Sequence, residues 1–260
     1  MRALSIAKFE DGIVNEDAAI VRKNLIAVSD GAGGGGVFAE CWSRYLVENI
    51  PDKPIADFEA FNQWIDEIWE PFYNEHEKMA NAKGGMFLNK FYDEGSFATL
   101  VAVWANGQWI AYGDSVAFCY DLETKALQHS FTKLADFNNP PFLINCKDPL
   151  IPKGFRSGKF DMRKNCRVFV ASDTLAHYIL MMYEVANKDL FKEELTVAID
   201  AQTKNSNFIK TALAIPAIDF EKDIIKKLQN CKKGFLLKNH IKGLIKKGLI
   251  GHDDYSISIM

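Results

Sequence analysis

Acidic side chains recur in this sequence at the ends of short apolar runs. Leu25-Ile26-Ala27-Val28 leads through Ser29 to Asp30 and then into glycines, in a stretch that reads LIAVSDGAGGGG from Leu25 to Gly36. Trp109 to Gly113 ends on Asp114, and Val168 to Ser172 ends on Asp173. The order reverses at the end of the chain, where Asp253-Asp254 opens the run Tyr255 to Met260. Short β-branched runs read as buried strands, so a fold that aligns these strands gathers their acids into one cluster. Carboxylates with no histidine or cysteine among them favour hard cations, Mg²⁺ or Mn²⁺. Crowded together they repel one another unless a cation neutralises them. Two such ions roughly 3.5–4 Å apart can share a water, lower its pKa and aim it at phosphorus. A single Asp is more often a helix cap or a turn residue. Four at strand ends with small flanking residues point to a metal site.

The elements that must position these acids follow from the hydrophobic pattern. Residues 3–9 read as a first strand. Residues 14–30 read as a hairpin, with Arg22-Lys23-Asn24 at its tip, which brings Glu16 and Asp17 to the end carrying Asp30. Residues 37–50 have helical spacing, and Phe58 to Met79 forms a second helix that Pro71 kinks or splits. Lys83-Gly84-Gly85 reads as a loop. Phe97 to Trp104 and Gln108 to Tyr112 are strands joined through Asn106-Gly107, a strong hairpin signal. Val116–Tyr120 and Leu127–Phe131 continue the meander. Residues 133–166 are broken by prolines and glycines and read as an irregular, flap-like insertion. A strand at 167–172 precedes helices over Thr174–Val185 and Leu190–Thr203. The lysine-rich amphipathic stretch 218–247 reads as the solvated face of a packed helix pair, ahead of a membrane- or acid-binding helix.

Length and composition bound the function classes. The 260 residues fit one large domain or two small ones, and the reading adopted is one domain over 1–260. A net charge of −3 lacks the basic footprint of a nucleic-acid binder. Five scattered cysteines with no CxxC pair suit reduced thiols in a cytoplasm. No signal peptide or membrane span is visible, and a monomer is favoured.

Six motifs in order carry a resemblance. Asn15-Glu16-Asp17-Ala18, Val28-Ser29-Asp30-Gly31-Ala32-Gly33-Gly34, Gly95-Ser96-Phe97-Ala98, Tyr112-Gly113-Asp114-Ser115, Val170-Ala171-Ser172-Asp173 and Asp253-Asp254-Tyr255-Ser256 resemble those of the type 2C, metal-dependent serine/threonine protein phosphatases, the PPM family. The resemblance implies an α+β fold, a four-layer αββα sandwich of two antiparallel sheets flanked by helices. It implies a signalling phosphatase holding two Mg²⁺ or Mn²⁺ ions, with a phosphorylated protein as partner and substrate. By position, Asp30 would bridge both ions, with Glu16 and the Gly31 carbonyl on one and Asp173 and Asp253 on the other. Asp17 would hold the attacking water, and Asp114 with Asp173 could hold a third ion. The resemblance thus implies Asp17, Asp30 and Asp173 as the catalytic set. A metal-bridging water would attack phosphoserine or phosphothreonine in line, with no phosphoenzyme.

The departures from the pattern are specific. The arginine common four residues before the motif glutamate is Gly12 here. The usual glycine after Asp173 is Thr174, the usual asparagine after Asp253 is Asp254, and the common arginine after the Gly-Asp-Ser motif is Val116. A lost bidentate clamp weakens phosphate binding, and Arg22, Arg156 and Lys8 are the replacements to locate. Two other readings therefore stand beside a phosphoprotein phosphatase. One is a pseudophosphatase acting as a regulatory binding module, and the other is a small-molecule phosphatase on the same scaffold. Thr174, Asp254 and His252 could support the ligands. His252 is also a candidate general acid, although a solvent-facing loop histidine is the commoner arrangement. His177 likewise lies near a motif acid.

Overall fold

The computed structural model describes residues 1–34 and 36–260; Gly35, inside the glycine run, lies outside the described residues. Alternation along the strands decides the layers, because successive side chains point to opposite faces of a sheet. In β3 (Leu25–Ser29), Ile26 and Val28 join Val101, Val103, Ala117, Cys119, Val168 and Val170 in a core between two sheets. Leu25 and Ala27 face the other way, into a core shared with helices. Every residue of β3 is buried, which is why it reads as an unbroken apolar run.

The sheet containing β3 also holds β2 (Ala18–Arg22), β5 (Leu100–Trp104), β6 (Gln108–Tyr112) and β10 (Phe155–Lys159), in the order β10-β6-β5-β3-β2. Helices α1 (Ala39–Asn49), α2 (Phe58–Lys83) and α3 (Gly85–Glu94) supply the helical side of its outer core. The facing sheet holds β1 (Arg2–Ile6), β7 (Val116–Asp121), β8 (Leu127–His129), β11 (Cys166–Ala171) and β12 (Tyr255–Ile259), in the order β1-β12-β11-β7-β8. Its outer core takes in residues of α4 (Asp173–Ala186), α5 (Lys192–Asp200), α6 (Lys204–Leu213), α7 (Lys226–Asn230) and α8 (Gly234–Lys246). Every pairing within these two sheets is antiparallel. The result is the αββα sandwich.

Several elements differ from the sequence expectation. α2 runs unbroken through Pro71. A mid-helix proline costs roughly 3 kcal/mol locally, but Trp64, Ile65, Phe72 and His76 on either side are buried and hold the helix down. The expected loop at Gly84-Gly85 is a single hinge, with Gly84 at φ 66°, and α3 begins at once. The run Phe97–Trp104 breaks at Thr99. Its first part, β4 (Phe97–Ala98), pairs instead with β9 (Ile144–Asn145). The stretch 133–166 is irregular at the turns 134–138 and 152–154, yet it contains β10 as an edge strand. Phe155-Arg156-Ser157-Gly158-Lys159 has no β-branched residue, and a Cβ on Gly158 would meet the Trp109 ring at 2.6 Å; such composition suits a strand edge. The helix expected over 190–203 is the shorter α5, which ends at Asp200, and a further helix that the pattern did not indicate, α6, starts directly after it at the Thr203 cap.

Candidate metal centre

The acids meet because strands from both sheets end on the same edge. Asp30 follows β3, and its backbone is fixed by the break at Thr99. Thr99 N–H donates to the Asp30 carbonyl (2.8 Å), and Thr99 Oγ1 accepts from Asp30 N–H (3.2 Å). Gly31 then bridges to Ala98. Thr99 Oγ1 also meets Ser115 Oγ at 2.7 Å, which ties the Asp114 turn to the same point. On the facing sheet, Ser172 N–H donates to the Ser256 carbonyl (3.0 Å) and Ser256 N–H to Ser172 Oγ (3.0 Å). Those bonds align the start of α4, with Asp173, beside the start of β12, with Asp253 and Asp254.

Small residues let the backbones approach this closely. A Cβ on Gly31 would lie 2.5 Å from the Glu16 carbonyl and 2.7 Å from that of Ala39. A Cβ on Gly33 would sit 1.9 Å from Glu16 Oε1, so the Glu16 carboxylate occupies the space that glycine leaves.

Electrostatics identify which acids share the site. Burial pushes Asp30 well above the usual carboxylate range, reinforced in turn by Asp17, Asp173, Asp114 and Asp253. Burial raises Asp17 likewise, opposed by hydrogen bonds from Ser172 and Ser256 and reinforced by Asp173 and Asp254. Asp114, Asp173, Asp253 and Glu16 are also raised, in each case first by burial. Asp17 is buried, and its Oδ2 has no hydrogen-bond partner.

Among the described residues, no group of three or more His, Cys, Asp or Glu side chains is gathered tightly enough to hold an ion as it stands. The acids rest on nearby donors instead: Asp173 on the Thr174 N–H, Asp253 Oδ2 on Thr174 Oγ1 (3.2 Å), and Glu16 on the Gly33 N–H. The chemistry of the set still fits a hard divalent cation. All the side-chain donors are carboxylate oxygens, they are desolvated, and one buried oxygen lacks any partner.

Asp254 has a definite task. Its two carboxylate oxygens accept from the backbone N–H groups of Lys8 (2.8 Å) and Glu16 (2.6 Å), so it pins the segment that carries Glu16 and Asp17. An asparagine has one side-chain acceptor oxygen and could not hold both.

The cations divide clearly. Arg22 lies away from the acids, where it donates to the Ile50 carbonyl at the end of α1 (2.7 Å) and pairs with Asp52 (3.2 Å). Gly12 is exposed at φ +77°, and a Cβ there would meet nothing within 4 Å. Lys8 acts on Glu16 and Asp253, opposing the upward shift of both. Arg156, on β10, stacks over Phe131 (5.0 Å), donates to the Gly113 carbonyl and opposes the upward shift of Asp114.

A cleft of about 100 Å³ opens beside Asp114, Asp173, Thr174 and Asp253. His252 lines it and is exposed. His177, expected near a motif acid, lines it too, as do Lys204 and Asn205, which belong to no motif. His177 is buried, with Nε2 unpartnered and its ring edge-on to Phe137 at 5.3 Å. Lys204 opens α6, and its Nζ would be 3.8 Å from a Cβ on Gly251. Asn205 donates to Asn138 Oδ1 (3.2 Å), as Thr203 Oγ1 does (2.7 Å), so α6 is latched to the 134–138 turn. His177 is legible from its place four residues after a motif acid; Lys204 and Asn205 carry no such signal.

A four-layer αββα sandwich with acids from both sheets on one edge is the fold of the PPM-type metal-dependent phosphatases. No protein-family model matches the chain, and no curated protein is significantly similar to it in sequence. Solved structures do match. The catalytic domain of the serine/threonine protein phosphatase PstP, in complex with 2 manganese ions, aligns over 99% of this chain and 95% of that one, with a TM-score of 0.50 and 16% identity. The Mycobacterium tuberculosis serine/threonine phosphatase PstP/Ppp aligns over 99% and 96%, also at 0.50 and 16%. Serine/threonine phosphatase Stp1 from Staphylococcus aureus aligns over 99% and 93%, at 0.49 and 13%. At 16% identity the two PstP matches show the fold alone; activity has to be argued from the site.

Proposed function

We propose that the chain is a single PPM-type phosphatase domain that hydrolyses phosphoserine or phosphothreonine on proteins with two Mg²⁺ or Mn²⁺ ions. The observation that carries this reading is the cluster of desolvated carboxylates, Asp17, Asp30, Asp114, Asp173 and Asp253, at one edge of that fold. Asp30, Glu16, the Gly31 carbonyl, Asp173 and Asp253 would hold the ions, and Asp114 with Asp173 a third. Bound there, the cations would activate a water and neutralise the phosphoryl oxygens. Asp17, with its unpartnered Oδ2, would orient that water by accepting its hydrogen bond. Asp254 keeps the Glu16 backbone in register, and Thr174 steadies Asp253. Lys204 and His177 line the cleft beside Asp173 and Asp253, where they would meet the substrate's phosphate or the chain that bears it.

The test is hydrolysis of an aryl phosphate and of a phosphothreonine peptide, with EDTA, Mg²⁺ or Mn²⁺, beside Asp173→Asn. Mn²⁺-dependent turnover lost in the variant supports the reading. Absence of turnover on both substrates, and on sugar and nucleotide phosphates, would refute it. The placement of Gly12 in an exposed turn favours one second reading: a pseudophosphatase that holds metal and binds phosphoprotein without turnover. Calorimetry showing Mn²⁺ binding and phosphopeptide binding in the absence of hydrolysis would select it.

A further inference from the structure

A second, larger cleft of about 420 Å³ lies on the helical layer, between α4, α8 and the segment 215–227. Its size is that of a small-molecule site. Its floor is apolar, with Met182, Ile218, Ile224 and Leu249 among the lining residues. His240, Gly243 and Leu244 follow one another along one face of α8 at helical spacing, and the cation of this side is Lys247, the residue just after that helix. Lys227, across the cleft, is already paired with Asp223 (3.1 Å), whereas Lys247 makes no ion pair among the described residues.

Three features mark the cleft as built rather than left over. The first is Gly243. A glycine in mid-helix costs stability relative to any ordinary helix former, and here no close packing requires it: nothing lies within 4 Å of its Cβ position. Its effect is to leave the mouth of the cleft open. The second is His240, whose Nε2 is buried and has no hydrogen-bond partner; unsatisfied buried polar atoms are rare and call for a partner. The third is the π-helical turn at Glu221–Ile225, which shapes the opposite wall. Such turns are rare and frequently sit at functional sites.

We propose that this cleft binds a small-molecule monoanion with an apolar body, a fatty-acid-like carboxylate. The apolar part would rest on Met182, Ile218, Ile224 and Leu249. The carboxylate would take a hydrogen bond from the His240 ring and the charge of Lys247. This site is separate from the acid cluster and does not depend on the phosphatase reading.

The test is calorimetric titration of the full chain with decanoate and with decanol. Decanoate should bind saturably at one site and decanol about tenfold or more weakly, the difference that a charge-assisted hydrogen bond makes. Gly243→Met should abolish binding by filling the mouth, while its unfolding midpoint stays equal to or above that of the parent, which shows the variant folded. Lys247→Glu, a change at an exposed position, should weaken decanoate about tenfold or more and leave decanol unchanged. Absence of saturable decanoate binding, equal binding of decanoate and decanol, or undiminished binding in Gly243→Met or Lys247→Glu would each overturn the proposal.

Discussion

Three glycines of one loop, changed singly to alanine, separate the fold from the site. At Gly34 a Cβ meets nothing within 4 Å, and φ is not in the left-handed region. Gly34→Ala should therefore shift stability by no more than about 0.5 kcal/mol, with a small gain from the stiffer unfolded chain. At Gly31 the Cβ would strike two backbone carbonyls, of Glu16 at 2.5 Å and Ala39 at 2.7 Å. Neither carbonyl can swing away alone, so Gly31→Ala should cost about 1–3 kcal/mol or more, as overpacking does. At Gly33 the obstacle is Glu16 Oε1 at 1.9 Å, the far end of a flexible side chain. The carboxylate moves and the fold stays. If Glu16 is a metal ligand, Gly33→Ala should weaken Mn²⁺ binding about 10–100-fold, the usual cost of disturbing a ligand's placement, which is about 1.4–2.7 kcal/mol. The assay is urea unfolding in EDTA for stability and calorimetric Mn²⁺ titration for the site. The reasoning fails if Gly33→Ala unfolds as easily as Gly31→Ala, or if it binds Mn²⁺ as tightly as the parent.

Asp254→Asn removes one of two acceptors and leaves a backbone N–H of Lys8 or Glu16 unpaired, at a cost of about 1–3 kcal/mol; an unchanged urea midpoint would contradict that role. In EDTA, Asp17 and Asp30 are raised in the folded state, so their contribution is full below the ordinary carboxylate range and lost as pH rises through the folded values. Metal-free protein should melt lower at pH 8 than at pH 5, and Asp30→Asn should melt above the parent at pH 8 while losing turnover; parent and variant melting alike at pH 8 would exclude the repulsion. Glu184 lies away from the cluster, 3% exposed with Oε2 unpartnered, and is pushed up to about 8 by burial and then by Glu194. Its contribution is complete below about pH 4.5 and disappears as pH rises through 8. Glu184→Gln should thus gain on the parent at pH 9 and differ little at pH 5, read from urea midpoints; an equal difference at both pH values would refute it.

The strands that carry the acids were legible because burial on both faces leaves an unmistakable run. Leu25-Ile26-Ala27-Val28 is buried throughout, and so is Val116 to Asp121. What could not be read was decided by packing between residues far apart in sequence. Pro71 is a helix breaker in isolation, and only the packing of Trp64, Phe72 and His76 overrules it. β10 has the composition of a loop and becomes a strand because β6 offers it an edge. The break at Thr99 follows from its bonds to Asp30, some seventy positions earlier in sequence. The same limit applies to the site. Acids at strand ends can be recognised one by one, whereas the cleft that brings Lys204 and Asn205 beside Asp173 exists only once α6 is latched to Asn138.

The case for a cation rests on what the protein's own charges leave undone. Lys8 acts on Glu16 and Asp253, and Arg156 on Asp114, so the rim of the cluster is partly compensated. At the centre, the leading influences on Asp30 are burial and four other carboxylates, and Asp17 keeps a buried oxygen with no partner. Asparagine at these positions would remove that repulsion at little cost in volume. Acids retained where they destabilise the empty fold make sense if something positive joins them there, and oxygen-only donors suit Mg²⁺ or Mn²⁺. Gly12 bears on a different step. On the proposed reading, its exposed turn, where a Cβ meets nothing within 4 Å, would offer no arginine to the phosphate while leaving the donors in place, so metal affinity and turnover would be separable. A chain that binds Mn²⁺ and turns over an activated aryl phosphate, yet fails on phosphopeptides, would locate the deficit in substrate grip rather than in the metal centre.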